Sequence, residues 1–370
     1  MNDGKRVLSD AERADWMRLS RTGQVGPITF FGLLSRFGSA FAALEALPEM
    51  AARAGRARPP VIPPKGEIEG EIAAAARMGI RMIAACEPDY PKALAAIEDA
   101  PPLIGAGRNA DLLARPSIGI VGARNASLNG RRIAERLARD LSEAGLIVVS
   151  GLARGIDTEA HRASLKGGTI AVVAGGIDIN YPPENARLQA DILESGCIVS
   201  EAPLGTEPMA RHFPRRNRII SGLTPGVIII EAARNSGSLI TARMALEQGR
   251  EIFAVPGSPL DPRSQGTNNL IREGATLTET ADDVLRVLSM ESARRIEVPQ
   301  SSLPLPAGGD SEVAEARRAV LDALSPTPVA VDELVRDCQV SLPVVMTILL
   351  ELELSGRLER QSGQRVSLVS

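Results

Sequence analysis

The sequence predicts an α/β protein centred on a doubly wound, largely parallel β-sheet over about residues 100–290. Three observations predict it. Six short apolar runs are continuous rather than alternating, which suits strands buried on both faces. Each run ends abruptly in small or polar residues. Helical stretches separate the runs, as crossovers between parallel strands require.

Taken in order, residues 9–55 read as short helices punctuated by glycine, with VGPITFFGLLSRFGSAFAALEALPEMA placing apolar residues at helical spacing between turns. The proline-rich, basic stretch 56–66 reads as a linker or stiff turn. A helix in EIEGEIAAAARMG leads to a strand near Ile80–Ala84 and a second near Pro102–Ala106. The six sheet runs are then SIGIVGAR, LIVVSG, TIAVVAGG, GCIVSE, GVIIIEA and EIFAVPG, with helices expected at Leu128–Ala144, Asp157–Lys166, Glu184–Ser195 and Ser238–Gln248. Residues 291–310, rich in Pro, Ser and Gly, read as a flexible tether. Three helices (Val313–Leu324, Ala330–Cys338, Ser341–Ser355) and a hairpin in RLERQSGQRVSLV give the order of a small winged helix. The expected division is therefore 1–66, 67–290, 291–310 and 311–370.

Composition narrows the chemistry. Of 370 residues, 44% are hydrophobic and 24% charged, which is ordinary for a globular chain. Cys86, Cys197 and Cys338 are far apart and fit neither a disulfide framework nor a CxxC metal site. With His161 and His212 the only histidines, no metal centre or cofactor is expected. The charged N-terminus lacks a signal-peptide pattern, and no apolar run reaches the ~20 residues that cross a bilayer, so a cytoplasmic protein without membrane contact is expected. Net charge is −3, so a site for a polyanion must be local. Aromatic residues make up only 2%, which argues against a broad platform of stacked bases.

Ligands of open parallel sheets bind beyond the carboxyl ends of the strands. Those ends are Gly122–Arg124, Ser150–Gly151, Gly175–Gly176, Ser200–Glu201, Glu231 and Pro256–Gly257. Glycine and the following helix N-termini can turn backbone N–H groups towards an anion. No GxxxxGK[ST] or GxGxxG pattern is present, so a nucleotide P-loop and a dinucleotide fingerprint are excluded. Arginine supplies the charge instead: Arg124 follows a strand, and the run RHFPRRNR (211–218) packs four Arg and one His into what reads as a basic loop or helix start. Guanidinium forks match phosphate oxygens. Phe213, within that run, can stack on one base. Catalysis has little support: Ser150, Ser236 and Ser238 lack a Ser–His–Asp context, His161 reads as structural, and Glu201 and Glu231 can hold nearby arginines.

The ordered segments VGARNASLNG, SGLARGIDTEAH, GGIDINYP, SEAP, FPRRNRIISGL, EAARNSGSLITARMALEQGR, AVPG and GTNNLIREGA resemble the DprA/Smf family of DNA-processing proteins over about residues 85–290. The resemblance implies an extended Rossmann-like domain with an N-terminal SAM-like or helix–hairpin–helix domain and a C-terminal winged helix. It implies a non-catalytic protein that binds and protects single-stranded DNA and loads a RecA-type recombinase onto it during natural transformation. A homodimer and contact with a single-strand-binding protein belong to the same expectation. The motifs place the DNA site at Gly122, Arg124 and Ser127, at Ser150 and Gly151, and at Gly175 and Gly176. From the basic run come Arg211, Phe213, Arg216, Asn217 and Arg218, and from the last turn Ser236, Gly237, Ser238 and Thr241.

Two other readings use the same sheet edge. LOG-type nucleotide phosphoribohydrolases carry PGGxGTxxE, but the corresponding EAARNSGSLITARMALE lacks the double glycine. A nucleotide sensor holding a small phosphate ligand is the other. The winged-helix segment is expected to dock protein rather than duplex DNA, because SLPVVMTILLELELSG has no Lys or Arg and residues 311–370 carry 6 basic against 9 acidic residues.

Overall fold

A computed structural model describes residues 5–53, 60–294, 310–361 and 364–369. The tether expected over 291–310 falls mostly outside these, as do residues 56–59 of the proline-rich stretch and 362–363 of the hairpin turn. The chain forms two compact units: Met1–Val7 with Gly70–Val298, and Leu8–Glu69 with Pro299–Ser370.

Four helices come first: α1 (Asp10–Arg21), α2 (Pro27–Phe37), α3 (Ala40–Arg53) and α4 (Lys65–Arg77). The α/β unit then runs β1 (Arg81–Ala84), α5 (Lys92–Ala95), β2 (Leu103–Ala106), β3 (Ser117–Gly122), α6 (Leu128–Glu143), β4 (Ile147–Ser150), α7 (Ile156–Ser164) and β5 (Thr169–Val172). It continues through α8 (Ala186–Ser195), β6 (Cys197–Ser200), α9 (His212–Gly222), β7 (Gly226–Ile230), α10 (Gly237–Glu247), β8 (Glu251–Ala254), α11 (Gln265–Arg272), β9 (Thr276–Leu277) and α12 (Ala281–Arg294).

The nine strands are ordered β1-β2-β6-β5-β4-β3-β7-β8-β9. From β6 to β9 neighbours are parallel, whereas β1–β2 and β2–β6 are antiparallel. The continuous apolar runs are explained by helices on both faces. On one face Ile118, Ile120, Ile228, Ile230 and Phe253 pack with Leu137 and Leu141 of α6, Ala160 of α7 and Val284 of α12. A second cluster joins Ala171 and Ile198 to Leu188 and Ile192 of α8. At the end of β3 the backbone of β7 leaves no room for a side chain: a Cβ on Gly122 would lie 1.9 Å from the Ile230 carbonyl oxygen. This glycine is set by strand packing.

In the second unit, Ser9 and Glu12 form a reciprocal capping box that starts α1. Pro27 at the first position of α2 presets its helical φ, and Phe30 from that helix packs on Trp16 with ring centroids 5.0 Å apart. The C-terminal part has α13 (Asp310–Ala323), β10 (Val329–Ala330), α14 (Val331–Cys338), α15 (Leu342–Leu354), β11 (Leu358–Gln361) and β12 (Arg365–Leu368), the strands ordered β10-β12-β11. Helix α15 packs on α13 and α14 and also on α2 and α3. Its Glu351 is buried, pairs closely with Arg317 and lies 3.9 Å from Arg36 of α2.

Candidate nucleic-acid interface

The carboxyl ends of β3, β4 and β5 and the start of α9 meet around a pocket of about 210 Å³ whose lining includes Arg124, Gly151, Arg154, Gly175, Tyr181, Glu184, Phe213 and Arg216. The basic run 211–218 is the first two turns of a helix rather than a loop, and Pro214 is accommodated in its first turn. That helix carries Arg216 inwards. Its Nη1 donates to the Val172 carbonyl oxygen at the end of β5, at 2.6 Å. The guanidinium passes alongside Gly151, where a Cβ would lie 1.9 Å from Nη1. Glycine at 151 therefore opens the passage for this arginine.

A buried cation needs compensation. Asp157, from the first turn of α7, supplies it. Burial raises the Asp157 pKa and the Arg216 guanidinium opposes that rise. Burial pulls Arg216 down to about 10, with Asp157 acting in the other direction, so the guanidinium remains charged at neutral pH. Its Nε is buried without a hydrogen-bond partner among the described residues.

The turn after β4 does not present free N–H groups. Asp157 accepts from the Gly151 and Ala153 amides at 3.1 and 3.3 Å, and His161 Nε2 accepts from the Leu152 amide at 3.3 Å. Thr169 donates its hydroxyl proton to the Val148 carbonyl, so His161 Nδ1, 2.8 Å from Thr169 Oγ1, is the donor of that pair. Burial, with Arg216 nearby, lowers the His161 pKa to about 3, so the ring is neutral. The backbone concavity expected at Ser150–Gly151 is thus filled by the protein's own carboxylate and imidazole. Charge for a ligand comes from side chains.

Those side chains form a stack. The Arg124 guanidinium lies 4.9 Å from the Phe213 ring centroid and that of Arg216 lies 5.9 Å from it. Tyr181 approaches Phe213 with centroids 5.7 Å apart and planes tilted by 53°. Arg124 is exposed, and Tyr181 is 42% exposed. Arg154 completes the cations and pairs with Glu184 at 3.4 Å.

The structure brings Arg124, Gly151, Gly175, Phe213 and Arg216 together on one rim. It gives other sequence-selected residues framework roles. Ser127 caps α6 by accepting from the Gly130 amide, and its hydroxyl bonds Glu231. Buried Ser150 donates to the Ile120 carbonyl. Gly176 packs under the 203–206 loop, which would crowd any Cβ there. Arg218 is buried and held by the Asp99 carbonyl and by Glu201, which also lies 3.9 Å from Arg215. Arg211 is exposed and Asn217 half-buried outside the pocket lining. Ser236, Gly237, Ser238 and Thr241 form the start of α10, where Ser236 caps the helix and bonds the Ser238 hydroxyl at 2.7 Å.

Sequence reasoning missed Tyr181, Arg154 and Glu184 at the pocket. Tyr181 and Arg154 lie inside the quoted segments GGIDINYP and SGLARGIDTEAH, but their convergence needed the fold. Among the described residues no group of His, Cys, Asp and Glu could hold a metal, and no single helix is long and apolar enough to cross a membrane.

Comparison with known proteins gives concordant matches to all three parts of the chain. A family model described as DNA recombination-mediator protein A matches residues 81–289, a DprA-like N-terminal HHH domain matches 10–74, and a DprA winged helix domain matches 304–364. DNA processing protein DprA of Streptococcus pneumoniae is 48% identical over 198 residues, covering 53% of this chain and 70% of its own length. Protein Smf of Escherichia coli is 38% identical over 308 residues, covering 82% of each chain. The X-ray structure of the S. pneumoniae protein aligns with a TM-score of 0.63 at 35% identity, over 76% of this chain and 98% of that one. A structure of DNA processing protein A from Helicobacter pylori, reported for its single-stranded DNA binding mode, aligns with a TM-score of 0.53 at 28% identity, over 58% and 98%.

Proposed function

The chain belongs to the DprA/Smf family of DNA-processing proteins, and from that premise we propose that its rim pocket binds single-stranded DNA without reading sequence. The observation that carries the proposal is the stack of exposed Arg124 on Phe213, with buried Arg216 behind it and Tyr181 beside it. Cations beside an aromatic pair suit a strand whose bases are free to leave the stack. Guanidinium contacts to phosphate position a strand without specifying sequence. The H. pylori relative, reported to bind single-stranded DNA, supports the same ligand here.

The role is binding rather than catalysis. Ser150, next to Gly151, and His161 are buried and committed to internal hydrogen bonds. Arg124, Phe213 and Arg216 make the contacts, Gly151 and Gly175 leave room at the pocket wall, and Gly122, Ser127, Ser150, Gly176 and Arg218 hold the frame. Arg211, Asn217 and the 236–241 turn are proposed to guide the strand outside the pocket. Family membership extends the proposal: the protein acts as a homodimer, in the divided domain plan 1–66, 67–290, 291–310 and 311–370, protects single strands in transformation, contacts single-strand-binding protein and loads a RecA-type recombinase onto the strands.

Fluorescence anisotropy with labelled oligothymidine, challenged by unlabelled single strands of mixed sequence and by duplex, tests the core of this. All single strands compete about equally and duplex competes poorly. Preferential competition by duplex would overturn the assignment. Filament assembly by a RecA-type recombinase on coated single strands tests the loading step, and assembly no faster with this protein than without it removes that step.

A further inference from the structure

One carboxylate sits where a polyanion is meant to bind. Glu184 lines the rim pocket with Arg124, Arg154 and Arg216, and its Oε1 lies 3.4 Å from Arg154 Nη1. Its position is fixed from below by the next residue. Asn185 is buried, and its Nδ2 donates to the Leu152 carbonyl at 2.9 Å and to Thr158 Oγ1 at 2.9 Å. The short helical turn Pro183–Asn185 is thereby tied to the loop that carries Arg154. The Arg154–Glu184 pair itself is open to water, with the side chains 62% and 58% exposed. Such a pair is weak and easily exchanged.

We propose that Glu184 is a specificity-determining residue that biases this pocket towards the singly charged phosphodiesters inside a strand and against doubly charged terminal phosphates and free mononucleotides. The inference rests on the pocket being the single-stranded DNA site. Its physical basis is the charge of the ligand. Repulsion by a carboxylate grows in proportion to ligand charge, so a dianion is penalised twice as strongly as a monoanion. Removing water from an ion costs more steeply still, rising with the square of its charge. Arg124, Arg154 and Arg216 attract both ligands. Glu184 and, behind Arg216, Asp157 lower the positive potential to one suited to a monoanion. A strand pays for displacing Glu184 from Arg154 through contacts to neighbouring nucleotides, and a lone mononucleotide has none.

The test compares Glu184→Gln with the unaltered full chain, using oligothymidine without terminal phosphates and thymidine monophosphate as separate probes. Measurements are made well above the second phosphate ionisation, about pH 6. Removing a unit charge a few ångströms from the ligand in a water-like dielectric tightens oligothymidine about threefold and the doubly charged mononucleotide about tenfold, the square of the first factor. Equal gains for the two probes, no gain, or weaker binding would each overturn the charge filter. Arg124→Ala, run alongside, separates this from failure of the underlying reading. If Arg124→Ala leaves oligothymidine affinity unchanged, the pocket is not the strand's site. If it weakens affinity while Glu184→Gln changes nothing, only the filter is lost.

Discussion

At the carboxyl rim of the sheet, Arg124 stands exposed over Phe213 while Arg216 is buried on the Val172 carbonyl with its charge offset by Asp157. In the winged-helix part, Arg317 and, from α2, Arg36 turn onto buried Glu351, and α15 carries no Lys or Arg of its own. Both regions have architectures that bind DNA in other proteins. In the first, buried charges are balanced internally and exposed guanidinium is left over for a ligand. In the second, Arg317 is taken up by Glu351 and Arg360 by Glu353, while Arg318, Arg357 and Arg365 are exposed without converging on a pocket. The helix that would enter a groove is packed on α2, α3, α13 and α14. Fold alone does not locate the DNA site. The convergence of an exposed cation with aromatic rings on one rim does.

The comparison is broken most severely by removing the buried cation of the rim. Arg216→Ala removes the nearby charge that offsets buried Asp157 together with the bond to the Val172 carbonyl, and is expected to cost roughly 1–3 kcal/mol in chemical unfolding, with loss of strand binding. Stability unchanged in that variant would mean that Asp157 and Arg216 do not compensate one another.

Acid provides the next test. Because burial holds His161 near 3, below its ordinary 6.5, the unfolded chain binds the extra proton first as pH falls. The contribution of neutral His161 is complete above about pH 6.5 and is lost as pH falls towards 3, with a slope of up to about 1.4 kcal/mol per pH unit. His161→Gln should flatten that slope in unfolding curves recorded across this window. An unaltered slope would assign the acid sensitivity to other groups.

Phe213→Ala removes the ring beneath Arg124 and one stacking surface. Affinity for oligothymidine should fall by about 1–3 kcal/mol, as for loss of a base–aromatic stack, with little change in thermal stability because the ring is only half-buried. The smallest effect is expected at the other region. Glu353→Gln removes an acidic charge from α15 and breaks its 3.1 Å pair with Arg360, yet with α15 packed on its neighbouring helices the duplex affinity of the full chain should change less than about twofold. A large gain would show that α15 faces DNA after all.

Much of the sheet was legible because each of β3 to β8 is a continuous apolar run closed by a small or polar residue. The short β9 and α11 were not, since two strand residues and eight helical ones carry too little periodicity. The site was legible in part. Arg124, Phe213 and Arg216 stood out as chemistry at strand ends or in a basic run, and the fold unites them. What local sequence concealed was burial. Arg216 and Arg218 read as guanidinium groups open to phosphate because their partners, Val172, Asp99 and Glu201, lie elsewhere in the chain. The Gly151–Ala153 turn read as an anion cradle because nothing in its spacing tells that Asp157 and His161 fold back onto those amides. The low aromatic content hid a local concentration, for Tyr181 and Phe213 meet only in three dimensions.

The salt dependence of oligothymidine binding, measured for the full chain and for Arg124→Ala, bears most directly on whether unused guanidinium at the rim grips the backbone. The account predicts a log–log slope with about 0.7 units for each phosphate neutralised, reduced by about that amount in the variant, with weaker binding to every single-stranded sequence alike. A slope that Arg124→Ala leaves unchanged, or a loss confined to particular sequences, would contradict it.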